Sequence, residues 1–245
     1  MSLSATALRP LPEVRRGDDL AALLADAAPA GFELGDILVV AHKVVSKTEG
    51  RVRDLATVEP GDRARDLAAE HGKDARMVQV VLDESAELLR AHHGVLICLT
   101  HHGLVCANAG VDRSNTPGDD QVVLLPENPD ASARALRAAL PGRPAVVVAD
   151  SFGRAWRVGQ TDVAIGAAGL AVLDDWRGRT DSRGRELEAT EIAVADTVAG
   201  AADLARAKDG GTPAVVVRGL ERFVTADDGP GAAALRRPPE LDLFR

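Results

Sequence analysis

The sequence predicts a mixed α+β, or irregular α/β, fold, and three observations point there. Short apolar runs of strand length recur from Ile37 to Val217, helical stretches separate only some of them, and two neighbouring runs flank a polar turn instead of a crossover helix. A doubly wound sheet would need regular strand and helix alternation. With 245 residues, 46% hydrophobic and 27% charged, the chain has enough apolar material for a substantial core.

Taken in order, Gly17-Asp18-Asp19 ahead of Leu20, Leu23 and Leu24 predicts a short capped helix that Pro29 and Gly31 end. Residues 37–41 form a strand, and residues 42–47 either extend it or open a helix stopped by Gly50. Residues 63–71 read as helix. Residues 95–99 and 104–107 read as two strands of a hairpin around His101, His102 and Gly103. The second strand runs into Asn108-Ala109-Gly110-Val111-Asp112-Arg113-Ser114-Asn115, a polar loop at a strand end, where function often resides. Residues 132–140 predict a helix closed by Pro141-Gly142, and residues 145–149 an apolar strand with Asp150-Ser151 at its exit. Residues 163–166 and 170–173 read as strands, 188–207 as the longest helix and 214–217 as the last strand. Residues 1–225 are assigned to one domain and 226–245, rich in Gly, Pro and charge, to a tail or linker.

The formal net charge of −8 argues against a protein that grips nucleic-acid backbone, and the absence of Tyr, with four Phe and two Trp, removes the platforms that stack bases. No nucleic-acid partner is expected. Met1 to Arg9 holds no signal-peptide core and no run approaches the ~18 apolar residues of a membrane span, so a cytoplasmic protein with no membrane partner is expected. Cys98 and Cys106 read as small buried thiols. Neither a G-x-x-x-x-G-K-[ST] loop nor a G-x-S-x-G elbow occurs, and His92-His93 and His101-His102, if in strands, point to opposite faces and form no zinc pair.

Asp112 and Asp150 each follow an apolar run. An ionised carboxylate near a core needs a counter-charge or a metal, and with the Ser151 hydroxyl the pair offers the hard oxygens that suit Mg²⁺ or Mn²⁺. Both aspartates can equally be caps of their own loops. Lys43, Lys47 and Arg51, with Arg113, Arg154 and Arg157, can meet phosphate oxygens or lie solvated on the surface.

Four ordered segments narrow these alternatives: residues 35–51, residues 106–115, Asp150-Ser151-Phe152-Gly153-Arg154-Ala155-Trp156-Arg157 with Val163-Ala164-Ile165-Gly166, and a helix ending before Gly211-Thr212-Pro213. Together they resemble the coenzyme F420-0:L-glutamate ligase family over residues 11–220. The resemblance implies a mixed α/β fold of the family's own, not a Rossmann or Walker-type one, and a homodimer. It implies a GTP-dependent amide ligase that joins L-glutamate to coenzyme F420-0, with Mg²⁺ or Mn²⁺ as two ions. One ion would sit on Asp112 and Asp150 and a second near Ser151. GTP would touch Leu11, Pro12, Glu13, Val14, His42, Lys47, Asn115 and the segment Arg206, Ala207, Lys208, Asp209, Gly210, Gly211, Thr212 and Pro213. Lys47 and Arg154 would offset developing charge. Ser151 stands where threonine is common, and Lys208 stands near a position that can give an oxygen to the second ion, which an ammonium cannot do. In some relatives this unit is the first half of a longer protein with a nitroreductase-like second half, which this sequence does not contain. Two other readings of the same carboxylates are a metal-dependent nucleotide phosphohydrolase and a non-catalytic GTP-binding module.

Overall fold

The computed structural model describes residues 2–116 and 118–242. In chain order the elements are β1 (Ser4–Ala7), α1 (Leu20–Ala27), β2 (Ile37–Ala41), α2 (His42–Thr48), β3 (Val52–Asp54), α3 (Asp62–His71), α4 (Ala75–Asp83), β4 (Ser85–His92), β5 (Val95–Thr100) and β6 (Val105–Ala107). There follow β7 (Gln121–Val123), α5 (Pro129–Ala139), β8 (Ala145–Arg154), β9 (Arg157–Ala168), β10 (Leu173–Asp175), β11 (Glu191–Ala193), α6 (Val194–Ala205) and β12 (Ala214–Arg218). The main sheet has the order β1-β12-β2-β8-β9, in which only β2 and β8 run parallel. This is the mixed α+β architecture the sequence predicts.

The unbroken apolar run of β2 is explained by burial on both faces. Leu38 and Val40 join Val146, Val148 and Val216 in a core with Leu24 of α1 and Leu136 of α5. Ile37 and Val39 join Val147, Val215 and Val217 in a second core with Val198 and Ala202 of α6. A third core gathers α3, α4 and β5 around Leu55, Val78, Val81, Leu96 and Cys98, and the β4-β5-β6 and β3-β7 sheets complete that lobe. Asp19 caps α1, accepting from the Ala22 backbone N–H, and Asn128 caps α5 in the same way through Ala131, with Pro129 opening that helix. The α5–β9 contact is bare backbone: a Cβ on Gly166 would lie 2.3 Å from the Pro129 carbonyl.

Several boundaries differ from expectation. Residues 42–47 open a helix. Strand β8 does not end at Ala149 but carries Asp150 and Ser151 within it, because β9 pairs with it through Asp150↔Val163, Ser151↔Asp162 and Phe152↔Thr161. Backbone pairing extends the strand after its apolar pattern has stopped. Residues 188–207 are not one helix: residues 191–193 form β11 against β10, and the helix starts at Val194. Of residues 170–173 only Leu173 lies in a strand, while Leu170 makes a single bridge to Val224. Strands β1, β3, β4 and β7 carry too little or too short a pattern to have been read, whereas helix α4 was missed although Asp74 caps it and Val78 and Val81 mark its buried face. Cys98 and Cys106 are free, buried and directly opposite each other in β5 and β6. Burial raises both thiols, Cys106 to about 12.

Residues 225–233 pack on the domain. The buried carboxylate of Asp130 accepts from the backbone N–H groups of Ala167, Ala232 and Ala233, and the buried Arg137 donates to Asp228 and to the carbonyls of Thr225 and Ala226.

Candidate functional site

The parallel register of β2 and β8 sets Ala41 beside Ala149, so the next residues of the two segments, His42 opening α2 and Asp150 within β8, lie side by side. His42 is buried at the start of α2; its Nδ1 lies 3.2 Å from Ser46 Oγ, and its Nε2 lies 3.3 Å from Asp150 Oδ1 without a hydrogen-bond partner. Asp150 Oδ1 accepts the Ser151 backbone N–H.

Asp112 arrives from the other lobe. The loop before it passes through three left-handed residues, Asn108, Ala109 and Gly110, with φ of 51°, 52° and 73°. A left-handed alanine is costly, and such strain persists only where the surroundings fix it. Here Asp112 and Val123 exchange backbone hydrogen bonds, at 3.0 and 2.8 Å. The Asp112 carboxylate accepts from the Ser114 N–H and Oγ and pairs with Lys43 Nζ at 2.6 Å. Burial pushes this carboxyl up, but the Lys43 ammonium and the Ser114 donors outweigh it and hold Asp112 below the ordinary carboxylate value. Asp112 thus caps its own loop, as one of the two readings expects, and its carboxylate also faces the cavity.

The opposite wall joins the two ends of the domain. The Leu11 N–H donates to the Gly211 carbonyl, and the Ala41 N–H to that of Pro213. Lys47, buried, pairs with Glu13 at 2.7 Å. Below them Ser151 Oγ donates to Asp162 at 2.6 Å, Asp162 is paired with Arg206, and Lys208 Nζ reaches Ser151 Oγ at 2.7 Å.

These groups line one open cavity of about 610 Å³. It brings together Leu11, Pro12, Glu13, Val14, His42, Lys47, Asp112, Asn115, Asp150, Ser151, Arg206, Ala207, Lys208, Asp209, Gly211, Thr212 and Pro213. Gly210 and Arg154 are not on its surface; Arg154 donates to the Val158 carbonyl across the β8–β9 turn. Sequence reasoning missed Asp162 and Asp203. Asp162 stands directly opposite Ser151 in the hairpin, a relation that becomes readable only once the register is known.

A divalent ion fits the donor chemistry: the carboxylates of Asp112 and Asp150 face the same cavity, and both are hard oxygen ligands. Among the described residues no three His, Cys, Asp or Glu side chains converge to hold a metal alone. An ion here would complete its shell with water and ligand oxygens, as Mg²⁺ and Mn²⁺ commonly do.

Fold and site together define an α+β protein whose cavity sets carboxylates and ammonium groups around a space of small-ligand size. The family model described as F420-0:Gamma-glutamyl ligase matches residues 10–219, and the chain belongs to that family. It is 45% identical to the coenzyme F420:L-glutamate ligase of Methanopyrus kandleri, covering 97% of both chains. It is 42% identical to that of Methanothermobacter thermautotrophicus over 100% of both, and 47% identical to that of Natronomonas pharaonis over 99% of this chain and 95% of the relative. No helix among the described residues is long and apolar enough to cross a membrane.

Proposed function

We propose that this chain joins L-glutamate to coenzyme F420-0 with GTP as the energy source, at the cavity between Asp112, Asp150 and Lys47. The observation that carries the reading is the convergence, in one cavity, of the Asp112 and Asp150 carboxylates with three lysines from distant parts of a chain whose full-length relatives are named for this ligation.

The γ-phosphoryl group of GTP passes to the terminal carboxylate of F420-0, giving GDP and an acyl phosphate. The α-amine of glutamate then attacks the activated carbonyl carbon, the C–O bond to phosphate breaks, and the amine proton leaves to solvent or phosphate. Further γ-linked glutamates would add by the same step on the preceding side chain. Asp112 and Asp150 would hold the divalent ion, which when bound neutralises phosphate charge and fixes its geometry. Lys47, kept in place by Glu13, and Lys43, kept by Asp112, present ammonium groups to the triphosphate. The segments at 11–14 and 206–213, tied by the Leu11–Gly211 bond, form the wall for the rest of the nucleotide.

Incubation with F420-0, GTP, L-glutamate and Mg²⁺ or Mn²⁺, followed by mass spectrometry, tests this. One or more glutamate increments with GDP release are expected; GTP hydrolysis without any increment would move the chain to a phosphohydrolase, and binding without turnover to a nucleotide-binding module. The resemblance also carries a homodimer. The tip of the β8–β9 hairpin, with Trp156 82% and Val158 94% exposed, is apolar surface of the kind a second copy covers. Sedimentation at micromolar concentration should give two chains per particle, and a monomer there would remove this part of the proposal.

A further inference from the structure

The two ends of the cavity differ in charge. At the first, the carboxylates of Asp112 and Asp150 face one ammonium, that of Lys43, and a negative charge is left over. At the second, lined by Ser151, Arg206 and Lys208, the carboxylates of Asp162 and Asp203 lie behind the surface and face Arg206 and Lys208, and the charges balance. Lys208 Nζ stands 2.7 Å from Ser151 Oγ, 2.8 Å from Asp203 Oδ1 and 3.4 Å from Asp162 Oδ1. Ser151 Oγ and Asp162 Oδ1 accept hydrogen bonds from that ammonium and the Asp203 carboxylate pairs with it by charge alone, which leaves one of its three N–H bonds for a ligand. Ser151 spends its own proton on Asp162, which turns its lone pairs toward Lys208. The oxygens that would ligate an ion near Ser151 are therefore already arranged around a cation.

We propose that the Lys208 ammonium is a built-in cation at the Ser151 end of the cavity, standing where a second divalent ion would otherwise bind. The site then takes a single divalent ion, at Asp112 and Asp150, and Lys208 supplies fixed positive charge toward a bound phosphate. A divalent ion added at Ser151 would meet Lys208 and Arg206 with no carboxylate charge left to offset it. An amide at position 208 would reverse this, removing one positive charge and offering an oxygen. The inference rests on the nucleotide and metal reading above.

Counting ions tests it without reference to turnover. Wild type, Lys208→Gln, Lys208→Arg and Asp112→Asn are titrated with Mn²⁺ in the presence of a non-hydrolysable GTP analogue, and free Mn²⁺ is followed by electron paramagnetic resonance. Lys208 is mostly exposed, with 64% of its side chain accessible, so its replacement leaves the core untouched. One ion per chain is expected for wild type and Lys208→Arg, two for Lys208→Gln and none for Asp112→Asn. Two ions in wild type, or one in Lys208→Gln, would overturn the proposal. No ion in wild type would instead overturn the metal reading on which it rests.

Discussion

The Asp130 and Arg137 pair of α5, which ties residues 225–233 to the domain, and the cavity at Asp112 and Asp150 both place charge in or near the interior, and they spend it differently. Asp130 is saturated by three backbone N–H donors, and Arg137 uses both terminal nitrogens on a carboxylate and two carbonyls, its Nε alone lacking a partner. Around the cavity, His42 Nε2 is left without a hydrogen-bond partner beside Asp150, and the ammonium of Lys47 and carboxylate of Asp112 border open space. Saturated charge holds chain segments together, whereas charge with unused valence facing a cavity is available to a ligand.

The sharpest way to break this comparison is to neutralise one carboxylate at each place. Asp112→Asn should lower ligation by about 10²-fold or more while the melting temperature stays within a few degrees, measured by product mass and calorimetry. Asp130→Ala should do the reverse. It strands three N–H groups and should cost about 3 kcal/mol in urea unfolding, with activity per folded molecule retained. If Asp130→Ala abolished activity in a fully folded protein, the division between the two regions would fail.

Smaller effects sharpen it. With GTP bound as proposed, Lys47→Ala should raise its KM by about tenfold, the loss of one charged contact of roughly 1.5 kcal/mol. The pH dependence of Asp112 follows from its depressed value, because such a group stabilises the fold above the ordinary carboxylate value of 3.8 and loses that contribution as pH falls through its lower folded value. Asp112 is 43% exposed, and solvent screening keeps the effect to about 0.5–1 kcal/mol. The stability gap between wild type and Asp112→Asn in urea should therefore close below pH 3.8.

The sequence made parts of this legible for identifiable reasons. Strands β2, β5 and β12 and helix α1 announce themselves by apolar runs or an Asp cap, and Asp112 and Asp150 by following such runs. Asp162 and Asp203 carry no such mark. Asp162 matters because the β8–β9 register sets it against Ser151, and Asp203 because it lies one turn of α6 before Arg206 and within reach of Lys208. Asp130 was hidden for the same reason, since its three partners come from β9 and from residues 232 and 233. Local pattern reports what a residue is next to in the chain, and these roles depend on what the fold brings from elsewhere.

Strand β12 lies between β1 and β2, so the first two strands made are linked into one sheet only when the last strand arrives between them. The bond from Leu11 to Gly211 closes the cavity at the same moment. During synthesis the nascent chain carries a gap in its sheet and half a wall until residues 206–218 emerge, and only then is the cavity complete. A ligand that stabilises this closure selects finished chains over truncated ones.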